Sequence, residues 1–111
     1  MAAFSRLASP RAEAITEGGM TLTAPQGVAE SINFQETTSG QVATTGDFVL
    51  TAEEVNSVIS ALEEHNVQVT ALHSHMLTEQ PRLFFMHFWA AGNVESVAQG
   101  IKAALSHVAV K

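Results

Sequence analysis

Cysteine is absent from this chain of 111 residues, which removes disulfides, thiolate metal sites and cysteine nucleophiles together and leaves the redox compartment open. Charge is scarce as well. Only 14% of residues are charged, and five Lys and Arg stand against eleven Asp and Glu, for a net charge of −6. The basic residues Arg6, Arg11, Arg82, Lys102 and Lys111 are scattered, not clustered. Neither nucleic acid nor an anionic membrane is therefore an expected partner. No apolar run approaches the length needed to cross a bilayer, and the opening MAAFSRLASPRAEA has no continuous apolar stretch behind a basic start. The expectation is a soluble, unanchored, cytoplasmic chain. No internal repeat or low-complexity tract is visible.

What the chain does have is apolar residues, at 46%, enough for one domain of this length to bury about two-thirds of its unfolded surface without help from a metal. Residues 1–13 are rich in Ala, Ser, Pro and Arg without period and read as a loose arm, leaving 14–111 as the domain. Gly18 and Gly19, between Ile15 and Met20, mark a hairpin turn, and Pro25 to Gly27 punctuate again. Val28, Glu30, Ile32 and Phe34 alternate with polar partners, Thr37 to Gly40 break the pattern, and Val42 to Leu50 resumes it. Two strands of an antiparallel hairpin follow from this.

Thr51 and Glu54 have the spacing of a capping box, and Val55, Val58, Ile59 and Leu62 then recur on one helical face until Asn66. Val67 to Leu77 and Leu83 to Ala90 read as two strands joined by the turn residues Thr78 to Arg82. Asn93 caps a last helix whose stripe is Val94, Val97, Ala98, Ile101, Leu105 and Val108. The order strand, strand, helix, strand, strand, helix implies an α+β two-layer sandwich, ferredoxin-like or related, with an antiparallel or mixed sheet and both helices on one face. The last two strands are apolar on both sides, with Val67, Val69, Ala71, Phe85 and Trp89 expected away from the helices. That second face needs another subunit, the N-terminal segment or a ligand as cover, and a homodimer is the expected partner.

One constellation carries chemistry. His73 and His75 are two apart and share a strand face. With a loop over Thr78 to Arg82, Leu77 pairs with Leu83, His75 with Phe85 and His73 with His87, which places all three histidines on that face. Opposed Cβ atoms lie about 5 Å apart and diagonal ones about 7 to 8 Å, within reach of one ion. Neutral imidazoles without thiolate suit Zn, Fe, Ni, Cu or Mn, and three protein ligands leave a position open for water or substrate, the arrangement that permits hydrolysis. A slip of one residue in register removes His87 from the site. Partly buried histidines satisfied by backbone or water explain the same residues without any metal.

Other groups are weaker candidates. Glu54 is a fourth ligand or a general base only if the helix start lies beside the histidine face, and its capping role explains it equally well. Asp47 reads as a turn residue beside Gly46. Glu79 and Arg82 are placed to pair across the hairpin loop, while His65 and His107, near helix ends, read as solvated. No organic cofactor is indicated, and no substrate is named.

The stretch GDFVLTAEEVNSVISALEEHNVQVTALHSHMLTEQPRLFFMHFW, Gly46 to Trp89, resembles the bacterial family of unknown function DUF1259, also called LppY/LpqO. The motifs ALHSHML and RLFFMHFW carry the likeness, which reaches the C-terminal helix and extends more weakly back through AITEGGMTLTAPQGVAESINFQ. The resemblance implies kinship with lipoproteins and exported proteins that have no assigned reaction, some with the unit twice. Relatives commonly have Asn in place of Ser74 and Pro in place of Ser57. This chain shows one unit and no lipobox cysteine. Its expected function is binding of a divalent transition metal by His73, His75 and His87; the alternative is a non-catalytic assembly module that pairs through its aromatic strand face.

Overall fold

The computed structural model describes residues 4–110, with side chains from residue 8 onward. Seven strands and two helices follow one another as β1 (Phe4–Pro10), β2 (Thr16–Glu17), β3 (Met20–Thr21), β4 (Ala29–Thr38), β5 (Gln41–Leu50), α1 (Ala52–Glu64), β6 (Gln68–Ser74), β7 (Phe84–Asn93) and α2 (Val94–Leu105). Five strands form one antiparallel sheet in the order β1-β4-β5-β7-β6, and β2 and β3 form a separate small hairpin. Because β7 is antiparallel to both neighbours, β5 and β6 run parallel around it. This is a split β-α-β unit with α1 as its crossover, and β4 fills the fourth place of a ferredoxin-like sheet. The expected two-layer α+β sandwich is the observed one.

Local chemistry accounts for the boundaries. Gly18 and Gly19, at φ of 58° and 79°, supply the two left-handed residues that a two-residue hairpin turn needs. The Glu54 carboxylate accepts the Thr51 N–H at 2.8 Å and starts α1, which ends where Asn66 takes φ 59°. Asn93 Oδ1 accepts from the N–H groups of Glu95 and Ser96 at 3.0 and 3.2 Å and starts α2.

Both helices pack on the even-numbered face of β5 and β7. Val42, Phe48 and Leu50 meet Met86, Phe88 and Ala90 there, under Val58 and Leu62 of α1 and Val97, Ile101 and Ala104 of α2. Each large side chain sealed in this layer contributes about 1.5 to 3 kcal/mol. Gly46 sits opposite Phe88 in the register, and a Cβ there would lie 2.7 Å from Phe88 Cζ. The missing side chain is what lets the Phe88 ring lie over the strand and approach Phe48 at 5.1 Å between centroids.

Three differences from the sequence reading bear on the site. First, the segment expected as a loose arm over residues 1–13 contains β1, paired to β4 from Phe4↔Gln35 to Pro10↔Ala29. This strand lies at the edge of the sheet, held to β4 by backbone pairing that no apolar period announces. Next to it Arg11 is only 2% exposed. Its guanidinium binds Glu13 and Glu54 and donates to the Val49 carbonyl. Burial opposes this charge, and the two carboxylates more than offset it, so the cation is held more firmly than in water.

Second, the ladder shifts register between Val69 and Ala71. The extra residue, Thr70, inverts side-chain parity along β6. Val67 and Val69 therefore turn to the helix side, where they join the main core, rather than lying with Trp89.

Third, the hairpin loop is longer than five residues. Ser74 pairs with Phe84 and His73 with Phe85. The loop 75–83 is closed by Glu79, whose carboxylate accepts from the N–H groups of Met76 and Leu83 at 3.3 and 2.9 Å. The expected Glu79 to Arg82 pair does not form: Glu79 is buried, while Arg82 donates to the Leu77 carbonyl and to Ser74 Oγ.

Candidate functional site: a histidine pair on the open sheet face

The odd-numbered face of β5 and β7 points away from the helices. Residues 11–28 fold over one end of it, where Ile15, Val28, Val49 and Leu83 make a second small core against Leu22 and Phe85. The other end stays open, and Trp89 is 43% exposed there. Of the three covers anticipated for this face, the N-terminal segment supplies one for Val49 and Phe85.

Register then decides which histidines meet. His87 lies directly between Asp47 of β5 and Ala71 of β6. His73, two residues along β6, is its diagonal neighbour and shares its side of the sheet. Their Nε2 atoms stand 3.0 Å apart. Asp47 Oδ1 contacts His87 Nδ1 directly, and His73 Nδ1 lies 3.0 Å from the Ser74 carbonyl oxygen. Phe85 packs beside the pair, its centroid 5.5 Å from the His73 ring.

His75 does not join them. It follows the last residue of β6, and the curl of the loop carries its ring to the far side of Phe85, 4.8 Å between centroids. There the side chain is 2% exposed, with Nδ1 3.9 Å from Glu79 Oε1. Nε2 faces Gly27 so closely that a Cβ on that glycine would lie 2.5 Å away. Among the described residues no group of three or more His, Cys, Asp or Glu is arranged to hold a metal ion. The structure thus brings together His73 and His87, adds Asp47, and separates His75.

The acceptors fix the tautomers. A carbonyl oxygen can only accept, and so can an ionised carboxylate, so both Nδ1 atoms carry hydrogen. The two Nε2 atoms then face each other as bare lone pairs at 3.0 Å. Such a pair is repulsive unless a cation, either a proton or a metal ion, lies between or beside them. A carboxylate or carbonyl behind a ligating imidazole is the usual outer support of a metal-bound histidine.

The remaining candidates take structural roles. Glu54 is drawn into the Arg11 cluster and also accepts the Ala109 N–H at 2.9 Å. Burial disfavours its charge, and Arg11 with the backbone donors overcomes this, holding the carboxyl below its ordinary range. His65 caps α1 with Nδ1 2.9 Å from the Ala61 carbonyl, and His107 is exposed beyond α2. Sequence reasoning missed two carboxyl groups. Asp47, read as a turn residue, sits mid-strand opposite His87, and only the long-range β5 to β7 pairing reveals that. Glu30, fully buried, accepts the Val49 N–H at 2.7 Å, and burial pushes its carboxyl up to about 7. Its place in an alternating strand gave no sign of this.

A family model described as a domain of unknown function (DUF1259) matches residues 2–107. The chain belongs to this family. No curated protein and no solved structure matches the chain. No helix among the described residues of this DUF1259 domain is long and apolar enough to cross a membrane.

Proposed function

We propose that this DUF1259 domain binds a divalent transition metal through His73 and His87, with Asp47 and the Ser74 carbonyl orienting the two rings. The observation that carries the reading is the pair of Nε2 atoms 3.0 Å apart whose Nδ1 atoms are both committed to acceptors. Two imidazole nitrogens bound at about 2.0 to 2.1 Å to one ion lie roughly 3 Å apart when they subtend close to a right angle. The donor set favours Zn, Fe, Ni, Cu or Mn over Mg or Ca. An ion held by two side chains keeps at least half of its coordination positions open, the condition a hydrolytic role requires.

The test is metal titration and elemental analysis of untagged protein alongside His73→Ala, His75→Ala and His87→Ala. One equivalent should bind, both the His73 and His87 variants should lose it, and His75→Ala should retain it. Affinity should fall in acid, because ligating imidazoles must be neutral. A protein that stays metal-free with Zn, Ni, Cu, Fe and Mn, or whose metal survives His87→Ala, refutes the proposal. Loss of metal in His75→Ala with a normal circular dichroism spectrum would restore the three-histidine set instead.

A further inference from the structure

Beside the histidine pair, on the same open face, lies a groove of about 420 Å³ lined by Asn33, Thr45, Asp47, Thr70, His87 and Trp89, with backbone of Gly46 and Phe88 at its floor. The register explains how it is built. Asn33, Thr45 and Trp89 stand in one row across β4, β5 and β7, and Asp47 and His87 form the next row. Thr70 enters from β6 only because the bulge turns it there.

We infer that this groove is a binding site for a neutral carbohydrate, with Trp89 as the plate on which a sugar ring stacks and Asn33, Thr45 and Thr70 as hydrogen-bonding partners for its hydroxyls. The inference is independent of the metal reading. Three features select the ligand class. Among the described side chains that line the groove none is lysine or arginine, so none of these supplies a counter-charge to a phosphate or carboxylate ligand. Its one carboxylate, Asp47, is engaged by His87, and a lone indole makes no aromatic cage, so a quaternary ammonium is poorly served. What remains is a half-exposed indole ringed by hydroxyl and amide groups that donate and accept in short range, which matches a sugar's apolar C–H face and its rim of hydroxyls. The same rim argues against a second copy of the chain as occupant, because stable interfaces centre on a contiguous apolar patch. The neighbouring apolar side chains Val49 and Leu83 already lie in the small core made with residues 11–28.

Trp89 is the chain's one tryptophan, so its emission reports on this groove alone. The experiment is a fluorescence titration of chelator-treated protein with maltose, cellobiose and N,N′-diacetylchitobiose, with inorganic phosphate and tetramethylammonium chloride as controls. At least one sugar should shift the emission saturably in the millimolar range, and the controls should not. Asn33→Ala and Thr45→Ala should each weaken that response about five-fold, the effect of one lost hydrogen bond. His73→Ala should leave it unchanged, which separates this site from the metal proposal. No saturable response to any of the three sugars at tens of millimolar overturns the inference. So does a response to tetramethylammonium alone, or a sedimenting dimer that Trp89→Glu dissociates.

Discussion

Replacing Glu30 by Gln should make the protein more stable at alkaline pH, although it removes the potential for a charge next to Arg11. Glu30 is 0% exposed. One carboxyl oxygen accepts the Val49 N–H at 2.7 Å, while the other has no hydrogen-bond partner. Burial is the main influence and pushes the carboxyl from 4.5 to about 7; Glu54 pushes the same way, and the Val49 N–H and Arg11 partly offset it. The unfolded chain therefore releases this proton at a lower pH than the fold does, and between pH 4.5 and 7 the unfolded state binds fewer protons. Stability is fully present below 4.5, falls as pH rises through that window, and is flat above it. At 1.36 kcal/mol per pH unit, the loss is about 3 kcal/mol. A Gln amide keeps the acceptor for Val49 and never ionises, so Glu30→Gln should match the parent near pH 4.5 and exceed it by up to about 3 kcal/mol at pH 8, roughly 10 °C in Tm. Urea denaturation of both proteins at half-unit pH steps reads this difference directly, and subtraction cancels the titration of every other group. Parallel curves across pH 5 to 8, or a variant less stable than the parent at pH 8, would refute the assignment of a buried, protonated carboxyl.

Three further outcomes follow from the geometry. Arg11→Ala should cost about 3 to 5 kcal/mol in chemical denaturation, because it leaves Glu54 without its buried counter-charge and the Val49 carbonyl without its side-chain donor; a loss below 1 kcal/mol would mean the cluster is solvated. Gly27→Ala should destabilise by roughly 1 to 3 kcal/mol, since φ of 93° strains any side chain and its Cβ would press on His75 Nε2, whereas Gly40→Ala, with φ of 75° and open space around it, should carry only the conformational cost. Asp47→Asn, which keeps the shape but weakens the acceptor behind His87 Nδ1, should lower metal affinity about 10- to 100-fold in calorimetric titration without unfolding the chain; unchanged affinity would show that Asp47 does not support the site.

The elements that could be read ahead of the structure are those whose signal is local. The Thr51 to Glu54 box, the Asn93 cap and the Gly18-Gly19 turn each encode a hydrogen bond or a dihedral within a few residues, and each lies where the sequence places it. The stripes of α1 and α2 specified the centres of their buried faces, Val58 and Leu62 in one and Val97 and Ile101 in the other, although Val94 and Ala98 of the expected α2 stripe are exposed and the small residues Ala61, Gly100 and Ala104 are buried in their neighbourhood. What escaped is non-local. Nothing within the segment from Met1 to Glu13 announces that β1 will find the edge of β4, because an edge strand's hydrogen bonds depend on partners 19 to 31 residues away, from Pro10↔Ala29 to Phe4↔Gln35. Asp47 becomes a site residue only through its register with His87, 40 residues on.

The histidines show how parity and register separate in what a sequence can specify. Side-chain alternation is a period-two rule, so a register change of two residues preserves faces while moving every opposed pair. The expected pairing of His73 with His87 became His73 with Phe85 and Ala71 with His87, and the two imidazoles still met because their parity was right. His75 has the same parity as His73 but lies beyond the last paired residue of β6, where alternation no longer governs direction. Glu79 decides its fate: by binding the Met76 and Leu83 N–H groups it lengthens the loop by capturing residues that a tighter turn would have left in the strands. A carboxylate that reads as a surface charge at a turn thus divides the histidine triplet, sending His75 into the small core over Gly27 and leaving His73 and His87 at the open face.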